Sequence, residues 1–489
     1  MKRELHPHQH GAMALLRNSL ATGHMRPVLA APTGFGKTVL AGAIVEGALR
    51  KGKRIIVTVP ALSLIDQTVE SFWAEGFRDI GVLQGNHPLT NPNHPVQVAS
   101  VQTLQRRHIP RADLVLVDEC HRVFDFYREW MTDPEWVNVP FIGLSATPWT
   151  RGLGKLYDDL LIAATTEQLI EHGFLSKFRV FAPSHPDLTG VRTVAGDYHE
   201  GDLSGAMQKG TLVADAVTTW LQKAQGRPTL CFAVDRAHAQ LLQEKFTAAG
   251  VPTGYVDAFT TREEREVIRK QFHAGEVKVV CNVGCLTTGI DWDVRCLSLC
   301  RPTKSEMLYV QIVGRGLRTA NGKDDCLILD HSDTTLRLGF VTDVHYDELD
   351  DGKPRTSSTK KKADAKPLPK ECQSCGTLRT PGLKSCTSCG FMPKKISTQT
   401  FEDGQLTELT ARAKPKADAD TKQKWLSMLM AIQHERGRKP GWTAHKYREK
   451  FGVWPRGLME QPLPADGEVR SWVRSRDIAF AKSRGRIAA

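Results

Sequence analysis

A chain of 489 residues, 40% hydrophobic and 25% charged, has the composition of a soluble globular protein and the length for several domains. No apolar run approaches the roughly 18 residues that a membrane span needs. The opening residues, Met1 to Gln9, lack the apolar core of a signal peptide, so no membrane span is expected and a cytoplasmic protein with reduced cysteines is. The net charge of +12 is unevenly placed: residues 351–489 hold 29 Lys/Arg against 14 Asp/Glu, while the rest is slightly acidic, which points the tail at a polyanion.

The first chemical signal is Ala31-Pro32-Thr33-Gly34-Phe35-Gly36-Lys37-Thr38, behind the apolar run 27–30 and ahead of a helical stretch from Val39. This is the strand–loop–helix setting of a phosphate loop. Backbone N–H groups over Thr33, Gly34, Phe35 and Gly36 can close around phosphate oxygens, with the helix N-terminus adding a favourable dipole. Lys37 is placed to reach the terminal phosphates of ATP and the Thr38 hydroxyl to ligate Mg²⁺. The usual loop begins with glycine where Ala31 stands.

Further short apolar runs at 54–59, 96–100, 114–117 and 141–144 are separated by helix-length stretches, which predicts an α/β fold with a parallel, doubly wound sheet. The run Leu114–Val117 reads as a buried strand ending in Asp118-Glu119-Cys120-His121. Two adjacent carboxylates at a strand end repel unless a cation or a reacting water lies between them. Asp118 is therefore expected to hold Mg²⁺ and Glu119 to orient and deprotonate the attacking water. A second series of strand runs, at 229–233, 277–281 and 326–330, predicts a second α/β lobe, joined to the first around residues 165–180.

Together these motifs resemble superfamily 2 helicases of the DEAD/DEAH class, with DECH as the local wording. The resemblance implies two tandem RecA-like lobes, at 1–168 and 169–350, hydrolysing ATP between them. It implies that Gln9 reads adenine and that His121 with Ser145 and Thr147 of Ser145-Ala146-Thr147 couples hydrolysis to lobe movement. Pro60 in Thr58–Leu64 and Ser100 and Thr103 in Ala99–Leu104 fall in segments that touch the nucleic-acid backbone in that class. Thr287-Thr288-Gly289-Ile290-Asp291 is similar to its motif V, with Thr288 on the backbone and Gly289 and Asp291 toward the nucleotide. Gln311-Ile312-Val313-Gly314-Arg315-Gly316-Leu317-Arg318 is similar to motif VI. On one helix, residues 311, 315 and 318 would share a face, so both arginines would reach a γ-phosphate held by the other lobe. Arg262, Glu264 and Arg265 lie where motif IVa would fall.

Residues 351–370 are lysine-rich and read as a linker. Cys372, Cys375, Cys386 and Cys389 then form CxxC-x10-CxxC, the spacing of a four-thiolate Zn²⁺ site, within a unit at 371–394. A second linker, 395–421, leads to a basic, mainly helical domain at 422–489. Its Trp425, Trp442, Trp454 and Trp472 are read mostly as core, and Arg474, Arg476, Lys482, Arg484 and Arg486 as candidate phosphate contacts.

The helicase core with a four-cysteine unit resembles the RadD group of bacterial repair helicases most. The implied function is an ATP-dependent DNA helicase or translocase in recombination, repair or replication-fork processing, with ATP, Mg²⁺ and Zn²⁺ as cofactors. Single-stranded, forked or branched DNA is the expected partner, with a single-strand-binding protein or recombinase as a further one. The alternatives are an RNA helicase, an accessory protein that recruits a recombinase, and a restriction-type motor lacking its nuclease.

Overall fold

In the computed structural model the apolar runs become strands of two parallel sheets, and the structure describes residues 4–85, 87–183, 185–208, 210–287, 291–353, 367–392, 418–459 and 461–485. Residues 1–395 form one compact unit and residues 396–489 another. No helix among the described residues is long and apolar enough to cross a membrane.

The first sheet comprises β1 (Pro27–Ala30), β2 (Ile55–Val59), β3 (Ile80–Leu83), β4 (Val96–Ser100), β5 (Leu114–Asp118), β6 (Phe141–Ser145) and β7 (Asp159–Ile162). Its order is β3-β4-β2-β5-β6-β1-β7, and every pairing is parallel. Helices cover both faces of such a sheet, which is why its strands are continuous apolar runs without alternation. The order sets β6 between β1 and β5, with Ala30 opposite Ser145 and Asp118 opposite Leu144. The phosphate loop, the paired carboxylates and Ser145 therefore emerge side by side at the carboxyl edge, where open α/β sheets bind ligands.

The second lobe is built on β8 (Lys177–Phe181), β11 (Thr229–Phe232), β12 (Thr253–Val256), β13 (Val279–Asn282), β14 (Cys296–Leu299) and β15 (Asp325–Asp330), with a hairpin of β9 (Thr193–Val194) and β10 (Asp197–Tyr198) after β8. The sheet order is β12-β13-β11-β14-β15-β8, again parallel throughout.

Two features depart from the expected domain map. The chain does not leave the second lobe for solvent at residue 350 but crosses back to the first. Leu349 packs against the first lobe's core, the Asp350 carbonyl accepts Gly154 N–H at 2.8 Å, and its carboxylate accepts Gly152 N–H at 2.9 Å. A Cβ at 154 would lie 3.1 Å from the Asp350 carbonyl oxygen, so a side chain there would make the strap give by a few tenths of an ångström. The linker expected at 351–370 is described only at its ends, since 354–366 lie outside the described residues, as do 393–417 of the second linker.

The four-cysteine unit is also not a free bead. Its strands β16 (Lys370–Glu371) and β17 (Leu378–Arg379) pair antiparallel, Thr377 bridges Phe181 on edge strand β8, and Leu378 is buried in the core shared with the lobes. His185 Nδ1 lies 2.8 Å from Asp333 while its Nε2 faces Glu371 at 3.6 Å. Spacing alone shows the knuckles; the docking depends on an edge strand remote in sequence.

The second unit is the helical C-terminal region: Ala419–Glu435, Trp442–Phe451 and Gly467–Gly485 close on Trp425, Leu426, Leu429, Ile432, Tyr447, Val469 and Val473.

Because Leu378 belongs to the main core, Leu378→Ala should destabilise the whole first unit by about 2–5 kcal/mol. Thermal denaturation followed by ATPase loss checks this; an unchanged midpoint would mean the four-cysteine unit is independent of the lobe.

Candidate functional site

The loop after β1 turns through Gly34 at φ 89° and Gly36 at φ 86°, conformations that L side chains avoid, and Lys37 and Thr38 then start the Lys37–Leu49 helix. The loop is held from behind by the start of the Pro7–Ala21 helix. Gln9 is buried: its Nε2 donates to the Phe35 carbonyl at 3.0 Å, and its Oε1 accepts the His6 N–H at 2.9 Å. A Cβ at 36 would lie 2.3 Å from that Nε2. Gln9 thus braces the loop with one N–H and one lone pair of its amide, and the second of each stays available to a base edge. Beside it the rings of His6, His8, Phe35 and Phe174 pack with centroids 4.4–5.6 Å apart.

At the end of β5, Glu119 takes φ 49°, a left-handed conformation rarely held by a non-glycine residue, and its N–H is bonded by Asp118 Oδ1 at 2.9 Å. The turn brings Glu119 onto Lys37, whose ammonium donates to its carboxylate and lies 3.9 Å from Asp118. Burial raises the Asp118 carboxyl and the adjacent Glu119 charge adds to this, with Lys37 opposing. Burial also works against the Glu119 charge, but Lys37 and His121 outweigh it and hold that carboxyl below the usual range. The pair is thus split, one member stably ionised and one tending toward a proton or a cation.

From Glu119 a polar chain runs into the other lobe. His121 Nδ1 lies 3.3 Å from Glu119 and 2.9 Å from Ser145 Oγ, which accepts the Thr147 N–H at 3.0 Å. Gln311 Nε2, from the second lobe's Glu306–Gly316 helix, reaches Thr147 Oγ1 at 3.3 Å and His121 Nε2 at 3.4 Å. Gly314 of the same helix lies directly on the phosphate loop: a Cβ there would sit 2.4 Å from Thr33 Cβ. Arg315, one turn beyond Gln311, is buried, and burial with the neighbouring Arg318, offset by Glu119, brings its guanidinium down to about 9, still charged at neutral pH.

Arg318 does not continue that helix face as expected. The helix ends at Gly316; Leu317 accepts the Ser176 N–H at 2.7 Å, and Arg318 bridges Leu175 in extended backbone. Pairing with the interlobe connector outcompetes another helical turn, and Arg318 instead donates to Asp291 at 2.6 Å. Thr288 and Gly289 lie outside the described residues. Of the expected backbone contacts, Pro60 accepts Gln102 Nε2 at 3.0 Å, and Thr103 follows on the Val101–Leu104 helix. Ser100 is a correction: it is fully buried and its hydroxyl caps that helix by accepting the Thr103 N–H, so it shapes the turn and does not face a bound strand.

Sequence reading missed three interlobe contacts: Thr150 donating to the His121 carbonyl at 2.5 Å and facing Met307 of the second lobe, Arg262 paired with Asp66 and Glu70 at 3.0 and 3.2 Å, and the Asp350 return strap. Only Arg262 had any signal, from its place in the motif order.

The four cysteine sulfurs lie within 4.8 Å of one another. Gly376 and Gly390, at φ 73° and 72°, close each knuckle by donating to the Cys372 and Cys386 carbonyls at 2.9 and 2.8 Å. Four thiol groups converging from two tight turns are the donor set of a tetrahedral zinc centre.

A phosphate loop on one parallel lobe, met across a cleft by glutamine and arginine from a second, defines the superfamily 2 helicases, ATP-hydrolysing motors on nucleic acid. This chain carries both of their domains: residues 2–150 match the family model for the type III restriction enzyme, res subunit, and residues 211–320 that for the helicase conserved C-terminal domain. It is 28% identical over 379 residues to a 51.5 kDa protein of a Lactococcus phage, covering 74% of this chain and 77% of that one. It is 31% identical over 352 residues to a Saccharomyces cerevisiae protein described as the ATP-dependent helicase IRC3, covering 67% of this chain and about half (51%) of the yeast protein. A fragment of a Vibrio vulnificus protein, described as the HsdR subunit of a type I restriction enzyme, shares the fold at a TM-score of 0.55 with 20% identity, covering 71% of this chain and 67% of that one.

Gly314→Ala should push the helix off the phosphate loop, leaving ATP binding to the first lobe intact while lowering kcat roughly tenfold or more, since interlobe arginines contribute about 10³–10⁵ in rate. Nucleotide titration beside steady-state ATPase separates the two; normal turnover would refute the close approach at Thr33.

Proposed function

We propose that the chain is an ATP-driven DNA helicase or translocase acting in recombination, repair or replication-fork processing. The observation that carries this reading is the polar path from Glu119 through His121, whose Nδ1 lies 3.3 Å from its carboxylate, to Gln311 on the second lobe's helix. Any rearrangement of Glu119 on nucleotide binding and hydrolysis is then felt across the cleft, as a motor requires. DNA as the track is supported by the restriction-enzyme family matched by the first lobe and by the basic tail.

When bound, Mg²⁺ supplies charge neutralisation on the phosphate oxygens. Asp118, its carboxyl raised by burial, and Thr38 fit that cation. Lys37 is placed to exchange Glu119 for phosphate oxygens, which frees Glu119, held ionised, to accept the proton of the attacking water. Arg315 and Arg318 stabilise charge on the transferring group from the other lobe, Arg318 by leaving Asp291. The four cysteines would hold Zn²⁺, which when bound would tie together the two knuckles that flank the Thr377 contact with β8.

Lys37→Ala or Glu119→Gln should abolish hydrolysis, and near-normal turnover in either would overturn the site. Comparing ATPase stimulation by single-stranded, duplex and forked DNA and by RNA tests the track: preference for DNA is expected, and selective stimulation by RNA would replace the reading with an RNA helicase. One equivalent of zinc should co-purify with the full chain and be lost in Cys372→Ser. A chain ending at residue 395 keeps Leu378 and should retain ATPase, but bind DNA more weakly and with a shallower salt dependence; unchanged binding would remove the tail from the interface.

A further inference from the structure

The C-terminal unit sorts its four tryptophans by exposure. Trp425 is in the core at 7% exposed, and Trp442 and Trp472 pack against that core half-buried. Trp454 stands apart: it is 40% exposed, and it follows the Trp442–Phe451 helix on a turn set by Gly452 at φ 76° and by Arg456 N–H donating to the Trp454 carbonyl at 2.9 Å. Hydrophobic burial does not account for an indole held out by a well-formed turn.

Its neighbours indicate what would cover it. The Arg448 guanidinium lies 4.7 Å from the ring centroid, and the His445 ring, one turn earlier, is 5.2 Å away at 74°. Several other basic groups of the unit are met by carboxylates: Asp477 holds Arg436 and Arg438 at 3.1 and 3.2 Å, Glu435 holds Arg470 at 2.9 Å, and Glu449 holds Lys446 at 2.7 Å. Among the described residues no carboxylate pairs with the Arg448 guanidinium, which lies over the indole. Residues 418–485 carry 14 Lys/Arg against 8 Asp/Glu, so the surface as a whole attracts an anion.

We propose that Trp454, with Arg448 and His445, is a stacking post for an unpaired nucleobase, so that the C-terminal unit grips single-stranded nucleic acid. An indole face accepts any base, while a guanidinium and an imidazole beside it meet the flanking phosphates. A duplex offers the phosphates but keeps its bases stacked on one another, so it cannot use the ring. The inference rests on the nucleic-acid motor reading and gives the tail a preference for unpaired strand.

The test uses the full chain as wild type, Trp454→Ala, Trp454→Phe and Arg448→Ala, with fluorescence anisotropy on three labelled probes: an oligothymidylate, an abasic strand of equal length and a duplex. Trp454→Ala should weaken oligothymidylate binding about tenfold, the size of one lost stack, with Trp454→Phe retaining most of the affinity. On the abasic strand and the duplex, wild type and Trp454→Ala should bind alike. Equal affinity of the two for oligothymidylate would overturn the proposal. So would an equal loss on the abasic strand, which would show a charge or folding effect, or full relief of the wild-type complex by polyglutamate at low concentration, which would mark an acidic-peptide surface. Nucleic-acid stimulation of the wild-type ATPase is read in parallel. If no nucleic acid stimulates it, the motor reading fails; if stimulation is normal and Trp454→Ala binds normally, only the stacking post fails.

Discussion

The approach of the Glu306–Gly316 helix to the phosphate loop governs this molecule. A missing side chain at 314 lets that helix lie on Thr33, and the same contact brings Gln311 to Thr147 and His121 and Arg315 within the field of Glu119. Packed interfaces are bistable and do not deform continuously, so a small change at the loop has few responses open to it except moving the helix. The polar path through His121, Ser145 and Thr147 follows the same seam and adds direction to it.

Around that seam the chain adds constraints that a minimal pair of lobes would lack. The strap through Leu349 and Asp350 returns to the first lobe after the second is complete, and Arg262 reaches Asp66 and Glu70 from the opposite lobe. Exposed ion pairs of the Arg262 kind contribute little each. A partly buried leucine and two hydrogen bonds from backbone N–H groups to Asp350 contribute more, so the strap is the firmer of the two restraints on lobe separation. The four-cysteine unit meets the outer edge of the second sheet at a single bridge, Thr377 to Phe181 at the end of β8.

The Lys37–Glu119 pair carries the electrostatics. Two carboxylates on consecutive residues cannot share one environment, and the left-handed turn at Glu119 separates them: Glu119 against the ammonium and His121, Asp118 toward the loop. That separation gives one group the character of a base and leaves the other in want of a cation, from a stretch of sequence that treats them alike.

Sequence alone determined eight of the thirteen strands of the two parallel sheets, the phosphate loop, the carboxylate pair, the cysteine knuckles and the existence of two lobes, because each rests on local periodicity or on short spacings with a direct chemical meaning. It could not determine contacts whose partners are far apart in the chain. Gln9 was legible as a motif residue, but its amide turned out to brace Phe35. Arg318 had helical spacing, but pairing with Leu175 drew it off the helix. Ser100 was a motif serine whose burial makes it a cap. Leu349 was assigned to the end of the second lobe and packs against the core of the first. Trp454 was one aromatic among four until the core formed and left it outside. In each case local pattern named the residue, and long-range packing, which sequence spacing does not encode, decided what its side chain does.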